Sequence, residues 1–222
     1  MERIPEPAEL MNDPEQARAY ALADFEEPHE QFVSEFKRRF EDLPTPGRAL
    51  DLGCGAADVT IRFARAFPAC RLDGVDGAPA MLSHGRRAVI EAGLQGRITL
   101  IEGRLPDARL SRERYDCVIS NSLLHHLADP QALWHTVREH GKRDAAVFVM
   151  DLMRPASPAA LQGLVARHAG DESEMLRRDF LNSLMAAYRP DEVGRQLNDA
   201  GLGTLRVEAA SDRHLVVWGR LR

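Results

Sequence analysis

The sequence predicts an α/β fold, a doubly wound and mostly parallel sheet with helices on both faces. Three observations carry that prediction. Between residues 48 and 152, short apolar runs alternate with segments of helical period, the pattern of successive strand–helix units. The first apolar run passes directly into a glycine turn, ALDLGCG at 49–55. Residues 204–221 carry two further apolar runs around a short polar turn, which reads as a hairpin. At 222 residues the chain is long enough for one such domain plus a small elaboration.

Residues 1–14 hold Pro5, Pro7 and Pro14 and read as an irregular arm. PEQARAYALADF (14–25) is a short helix opened by Pro14 at its first turn. EPHEQFVSEFKRRF (27–40) is a clearer one, with Phe32, Val33, Phe36 and Phe40 at helical spacing, acids at its start and Lys-Arg-Arg near its end. LPTPG (43–47) breaks the chain. RALDLG (48–53), CRLDGVD (70–76), RITLIEG (97–103), YDCVIS (115–120) and AAVFVMDL (145–152) are the first five strands. Helices fall at 57–67, 79–93 and 129–140, the last with Asp129 as cap and Pro130 at its first position. Residues 156–188 read as helical and interrupt the alternation. One more helix (189–202) precedes strands six and seven, a hairpin on the sheet edge. Ligands of such sheets bind at the carboxyl ends of the strands, which directs attention to Asp51–Gly55, Asp76, Gly103–Leu105, Ser120–His126 and Asp151–Arg154.

Composition narrows the function. A net charge of -5 argues against a general nucleic-acid binder, which needs a concentrated basic surface. The three cysteines, Cys54, Cys70 and Cys117, form no C-x-x-C pair, so neither a zinc knuckle nor a redox pair is indicated. Sparse cysteine fits a reducing cytoplasm. The opening MERIPEPAEL lacks the apolar core of a signal peptide, and no apolar run is long enough to span a bilayer. The expectation is a cytoplasmic protein without membrane contact, either monomer or homodimer.

Three stretches then carry a resemblance. ALDLGCGAADVT, GVDGAPAML and YDCVISNSLLHHLADP, in that order, resemble the motifs of class I S-adenosylmethionine (SAM)-dependent methyltransferases of the small-molecule type. The resemblance covers residues 45 to about 152, with the terminal hairpin matching in layout. It implies a Rossmann-like seven-stranded sheet and a single domain of four parts: an N-terminal helical arm or lid (1–44), a SAM-binding core (45–152), a helical cap (153–189) and a last helix with the hairpin (190–222). It implies SAM as donor, S-adenosylhomocysteine (SAH) as product, and a nitrogen, oxygen or sulfur atom of a small metabolite as acceptor. The methionine moiety would lie over Gly53-Cys54-Gly55, the ribose on Asp76 beside Gly77, and the adenine against Met81 and Gly103-Arg104-Leu105, with Asn121 and Ser122 near the reacting sulfur. Tyr20 and Phe25 of the arm, with Arg154, Asn182 and Tyr188 of the cap, would face the acceptor.

The residues support readings of their own. Gly53 and Gly55 let backbone approach a ligand closely. A dinucleotide is the rival occupant, but its G-x-G-x-x-G/A pattern has Asp58 at the third position here, a negative charge where a pyrophosphate would sit. Asp51 suits a cationic ammonium better than a diphosphate, and Asp76 can accept from both ribose hydroxyls. Arg104 departs from the family, which commonly has an acid there. Having no acceptor atom, it leaves adenine to backbone groups, to stacking under the guanidinium or to Asp107. His125 and His126 are adjacent and so do different jobs: either one is a general base or acceptor ligand, as imidazole chemistry allows, or both are structural. Asn121 and His126 are the catalytic candidates. No H-x-x-x-H or H-E-x-x-H spacing appears, so no metal is expected. Arg154, Arg167, Arg177 and Arg178 are candidates for a substrate carboxylate. Protein or transfer-RNA acceptors, a non-catalytic SAM-binding module and a nicotinamide dehydrogenase remain as alternatives.

Overall fold

The computed structural model describes residues 1–6, 10–43, 45–111 and 114–222. The readings at Pro7 and Pro44 lie outside them. Seven strands, β1 (Arg48–Leu52), β2 (Arg71–Asp76), β3 (Ile98–Glu102), β4 (Tyr115–Asn121), β5 (Gly141–Leu152), β6 (Arg206–Ala209) and β7 (His214–Arg220), form one sheet of order β3-β2-β1-β4-β5-β7-β6. The first five are parallel, and β7 runs antiparallel between β5 and β6. The order reverses beside β1, which opens a crevice between the carboxyl ends of β1 and β4. This is the Rossmann-like sheet with a terminal hairpin that the sequence predicts.

Helices α1 (Pro14–Leu22), α2 (Glu26–Arg39), α3 (Asp58–Ala66), α4 (Pro79–Glu91), α5 (Gln131–His140), α6 (Pro158–His168), α7 (Glu174–Ala186) and α8 (Pro190–Asp199) complete the layers. One face of the sheet buries Phe32, Phe36 and Phe63 of α2 and α3 against Phe148 of β5. The other buries Trp134 and Val137 of α5 with Val193 and Leu197 of α8. The Trp134 indole N–H donates to Gln196 Oε1 at 3.0 Å, so this buried polar atom is satisfied. No helix among the described residues is long and apolar enough to cross a membrane.

The helices read at 14–25 and 189–202 end earlier, at Leu22 and Asp199, and three other differences have a visible cause. β5 starts at Gly141, because Tyr115 pairs with Gly141 and Cys117 with Ala146, so the strand bulges through the charged residues between. The helix after β4 starts at Gln131, so Pro130 is its N-cap rather than its first residue and Asp129 is not the cap; Asp129 lies one position earlier and accepts the Gln131 amide at 2.9 Å. The stretch 156–188 is two helices, each with a serine cap: Ser157 accepts from the Ala160 amide and Ser173 from the Leu176 amide. A parallel bridge between Met153 and Tyr188 closes the base of this insertion.

Phe36 is 1% exposed and meets the rings of Phe40, Phe63, Phe67 and Phe148 with centroids 4.8–5.8 Å apart. Phe36→Ala is therefore expected to cost about 3–5 kcal/mol, read as a lower urea midpoint at unchanged m-value.

Candidate functional site

After β1 the chain turns on Gly53 (φ +75°) and Gly55 (φ +51°), in the left-handed region that favours glycine. Gly53 is constrained twice, since a Cβ there would lie 2.8 Å from the Leu123 side chain. The amides of Gly53 and Cys54 both donate to the Val75 carbonyl, at 2.8 and 3.0 Å. The Gly55 amide donates to Asp76 Oδ2 at 2.9 Å, and the Ala78 amide to Oδ1 at 2.8 Å. Asp76 thus points back over the turn, and each of its oxygens retains capacity for a ligand hydroxyl. Asp51 is buried and accepts the Thr60 hydroxyl at 2.6 Å. Burial pushes its carboxyl up to about 7, with the Asp76 charge adding to the shift.

A cavity of about 550 Å³ lies above this turn. Its wall includes all twelve residues expected at the cofactor: Asp51, Gly53, Cys54, Gly55, Asp76, Gly77, Met81, Gly103, Arg104, Leu105, Asn121 and Ser122. Leu10 and the Arg104 side chain pack over Gly77, where an added Cβ would meet them at 2.8 and 3.2 Å. Asp58 also lines the cavity, and there it holds α2 to α3: His29 Nδ1 lies 2.5 Å and Arg62 Nε 2.8 Å from its Oδ2.

A second cavity of about 640 Å³ adjoins the first. Tyr20, Phe25, Asn121, Ser122 and His126 line both. The Tyr20 and Phe25 rings pack with centroids 4.6 Å apart, and burial pushes the Tyr20 hydroxyl up to about 12. His125 lines the second cavity only and is 2% exposed. Its Nδ1 lies 2.6 Å from Asp151 Oδ1; burial opposes a charge on the ring, but Asp151 outweighs it and raises the imidazole pKa.

Several expected acceptor residues stand elsewhere. Arg154 does not line either cavity: its guanidinium donates to the Ala187 and Met1 carbonyls and to Glu192, so it fastens the base of the insertion. Tyr188 lies under Arg3, whose guanidinium is 4.1 Å from the ring centroid, and it also lines neither cavity. Asn182 lines a separate small void beside Glu6. Arg177 donates to the Glu172 carbonyl, and Arg178 lies 3.7 Å from Asp179. Arg167 alone of the four arginine candidates reaches the second cavity, at its exposed rim.

Sequence reasoning missed Glu6, His29, His168 and Arg213. Arg213 is half-buried in the second cavity, with Nη1 2.6 Å from His168 Nδ1 and the nearest Asp212 oxygen 3.8 Å away. Burial lowers its pKa, and the charges of Asp212 and Glu27 offset this only in part. Burial and Arg213 beside it hold His214 down to about 4. The tripeptide Asp212-Arg213-His214 in the hairpin turn was a visible signal, since a turn of mixed charge at a sheet's ligand-binding end has reason to face the site.

Residues 49–144 match the family model described as a methyltransferase domain. This stretch of the chain is a methyltransferase domain, set in the Rossmann-like sheet. The release factor glutamine methyltransferase of Geobacter sulfurreducens is 31% identical over 134 residues, which are 59% of this chain and 45% of that protein. Trans-aconitate 2-methyltransferase of Streptomyces avermitilis is 35% identical over 89 residues, 39% of this chain and 32% of that one. The matched segments thus span less than half the length of either relative. The domain's fold is shared along nearly the whole chain with two solved structures. A SAM-dependent methyltransferase from Aquifex aeolicus superposes with TM-score 0.69 and 17% identity, covering 95% of this chain and 99% of that one. The plantazolicin methyltransferase BpumL, solved with a substrate analogue and SAH, gives 0.72 and 15%, covering 95% and 92%.

The buried Asp51 of this methyltransferase domain predicts a pH dependence. Its folded pKa of about 7 lies above the ordinary 3.8, so between these values the unfolded chain binds fewer protons than the folded one. The ligand-free protein should therefore lose stability as pH rises from about 4 to about 7. Asp51→Asn should flatten that slope, seen in urea unfolding at pH 5 and pH 8, with the variant gaining most on wild type at pH 8.

Proposed function

We propose that the chain transfers a methyl group from SAM to a nitrogen, oxygen or sulfur atom of a small, carboxylate-bearing metabolite. The observation that carries this reading is the junction of the two cavities at Asn121, Ser122 and His126, with acids on one side and Arg213 on the other.

The first cavity fits SAM. Its glycine turn leaves room for close contact, Asp76 retains acceptor capacity for the ribose hydroxyls, and Asp51 stands where an α-ammonium is welcome. Met81 and Leu10 supply apolar surface for the adenine end. When bound, SAM supplies an activated methyl group whose departure leaves a neutral thioether. The protein's task is therefore to hold the acceptor in line and exclude water. Tyr20 and Phe25, at the shared wall, suit the second role, and Asn121 the first.

The second cavity is sized for a metabolite. Arg213, which donates to the His168 ring, presents a guanidinium that can form a paired hydrogen bond with a carboxylate, while Asp212 is engaged by Arg167 and His168. Asp24 and Glu26 also line the wall, where an amino group of the same acceptor would be favoured. Relatives named for trans-aconitate, a carboxylate, agree with this reading. A protein acceptor is the second reading, because other relatives act on glutamine of a release factor.

SAH should bind the purified protein in calorimetry, and Asp76→Ala should weaken it about 10–100-fold through lost charge-assisted hydrogen bonds. Carboxylate metabolites, amino acids and a glutamine-bearing peptide should be screened by SAH release. Arg213→Gln should raise KM about tenfold or more for the accepted carboxylate with kcat little changed. Absence of SAH binding refutes the reading, and turnover of the peptide alone transfers it to the protein acceptor.

A further inference from the structure

A carboxylate and an imidazole 120 residues apart in sequence meet beside the two cavities: His126 lines both, and Glu6 reaches it from a small void next to them. Glu6 of the N-terminal arm places Oε2 2.5 Å from His126 Nδ1. Its other oxygen accepts the Ser183 hydroxyl of α7 at 2.6 Å. The arm is fixed beside it by Arg3, which donates to the carbonyls of Ala186, His125 and Leu127 at 2.6, 3.0 and 3.2 Å. Glu6 has a side chain only 11% exposed. Burial raises its pKa, but hydrogen bonds and charge from His126, His125 and Ser183 more than offset this and hold it down to about 2.

A carboxylate only accepts, so the proton between the pair belongs to His126 Nδ1. In the neutral ring that fixes the tautomer and leaves Nε2 as the nitrogen with a lone pair. We propose that Glu6 is a positioning residue that presents His126 Nε2 to the second cavity as the proton acceptor for methyl transfer. This rests on the function proposed above. As the acceptor's O–H, N–H or S–H gives its proton to Nε2, its lone pair bonds the methyl carbon. The carbon–sulfur electrons return to sulfur, and the imidazolium later releases the proton to solvent. The arm, by supplying Glu6, is then part of the catalytic apparatus.

The same groups invite a metal, since Glu6, His125 and His126 each offer a ligand atom within 4.8 Å of the others. Ring geometry favours the proton. The two imidazoles stack at 4.1 Å with planes 36° apart, face to face rather than edge to edge. His125 Nδ1 is already paired with Asp151, and its Nε2 lies 4.0 Å from Glu6 Oε1.

The test uses the full chain with SAH bound and ¹⁵N-labelled histidine. Wild type should show His126 as the Nδ1–H tautomer, and Glu6→Ala should shift it toward Nε2–H while SAH affinity, the check on folding, stays within about twofold. With an acceptor found in the screen above, Glu6→Ala should lower kcat about 100-fold at similar KM, and Glu6→Asp should restore most of it. An unchanged tautomer in Glu6→Ala, or an unprotonated Nδ1 in wild type, overturns the proposal. So does stoichiometric Zn²⁺ binding that Glu6→Ala abolishes. If no acceptor is turned over but the tautomer shifts, the function reading fails while the orientation of His126 by Glu6 stands.

Discussion

One buried carboxylate sets the geometry on which both cavities depend. Asp151 ends β5 and is 2% exposed. It accepts the Leu124 amide at 2.7 Å, its neighbour Leu152 at 2.8 Å, and His125 Nδ1 at 2.6 Å. A buried charge is tolerable only when it is satisfied in this way. The outcome is that the short 3₁₀ turn Leu124–His126 after β4 is bound to the end of the neighbouring strand. Asn121 and Ser122 on one side of that turn, and His126 within it, then have fixed places at the junction. Ser122 takes a positive φ of 54° to leave the strand, and its amide donates to the Met150 carbonyl of β5 at 2.9 Å. Strand ends that are not adjacent in sequence thus define one small volume.

The charges around that volume are divided in a way that suits methyl transfer from a cation. Asp51 and Asp76 lie on the sheet side and Glu6 on the arm side, while the guanidinium of Arg213 stands across the second cavity. Asp51 is a costly group in the empty protein, since burial pushes its carboxyl pKa to about 7. A positive ligand beside it would relieve that cost, so part of the binding free energy is stored as unfavourable burial in the free state. Arg213 is the mirror case, a cation whose pKa burial depresses and whose desolvation an anionic ligand would offset.

The local signals made the core of this arrangement legible. Glycines at 53 and 55, acids at strand ends and the apolar alternation all act within a few residues, and the twelve residues that these signals and the family resemblance pointed to line one cavity. The acceptor side was legible only in part, for a physical reason. Its wall is assembled by tertiary packing of α1, α2, α6, α7 and the β6–β7 turn, and sequence spacing says nothing about which faces those elements turn inward. Arg154 looked like a ligand for a carboxylate because it follows a strand end. Met1, Ala187 and Glu192 claim it first. Arg213 was passed over because it sits in a turn far along the chain, although the antiparallel return of β7 brings that turn beside the end of β5: Leu152 pairs with His214.

The N-terminal arm shows how such a site can be closed without a separate domain. Within thirteen residues it contributes to both cavities: Arg3 and Glu6 hold the turn after β4, Leu10 covers Gly77, and Asn12 accepts the Ala80 amide at the start of α4. Each of these contacts lowers the conformational entropy left to be lost by the others, so a short stretch of chain can close the wall without a core of its own.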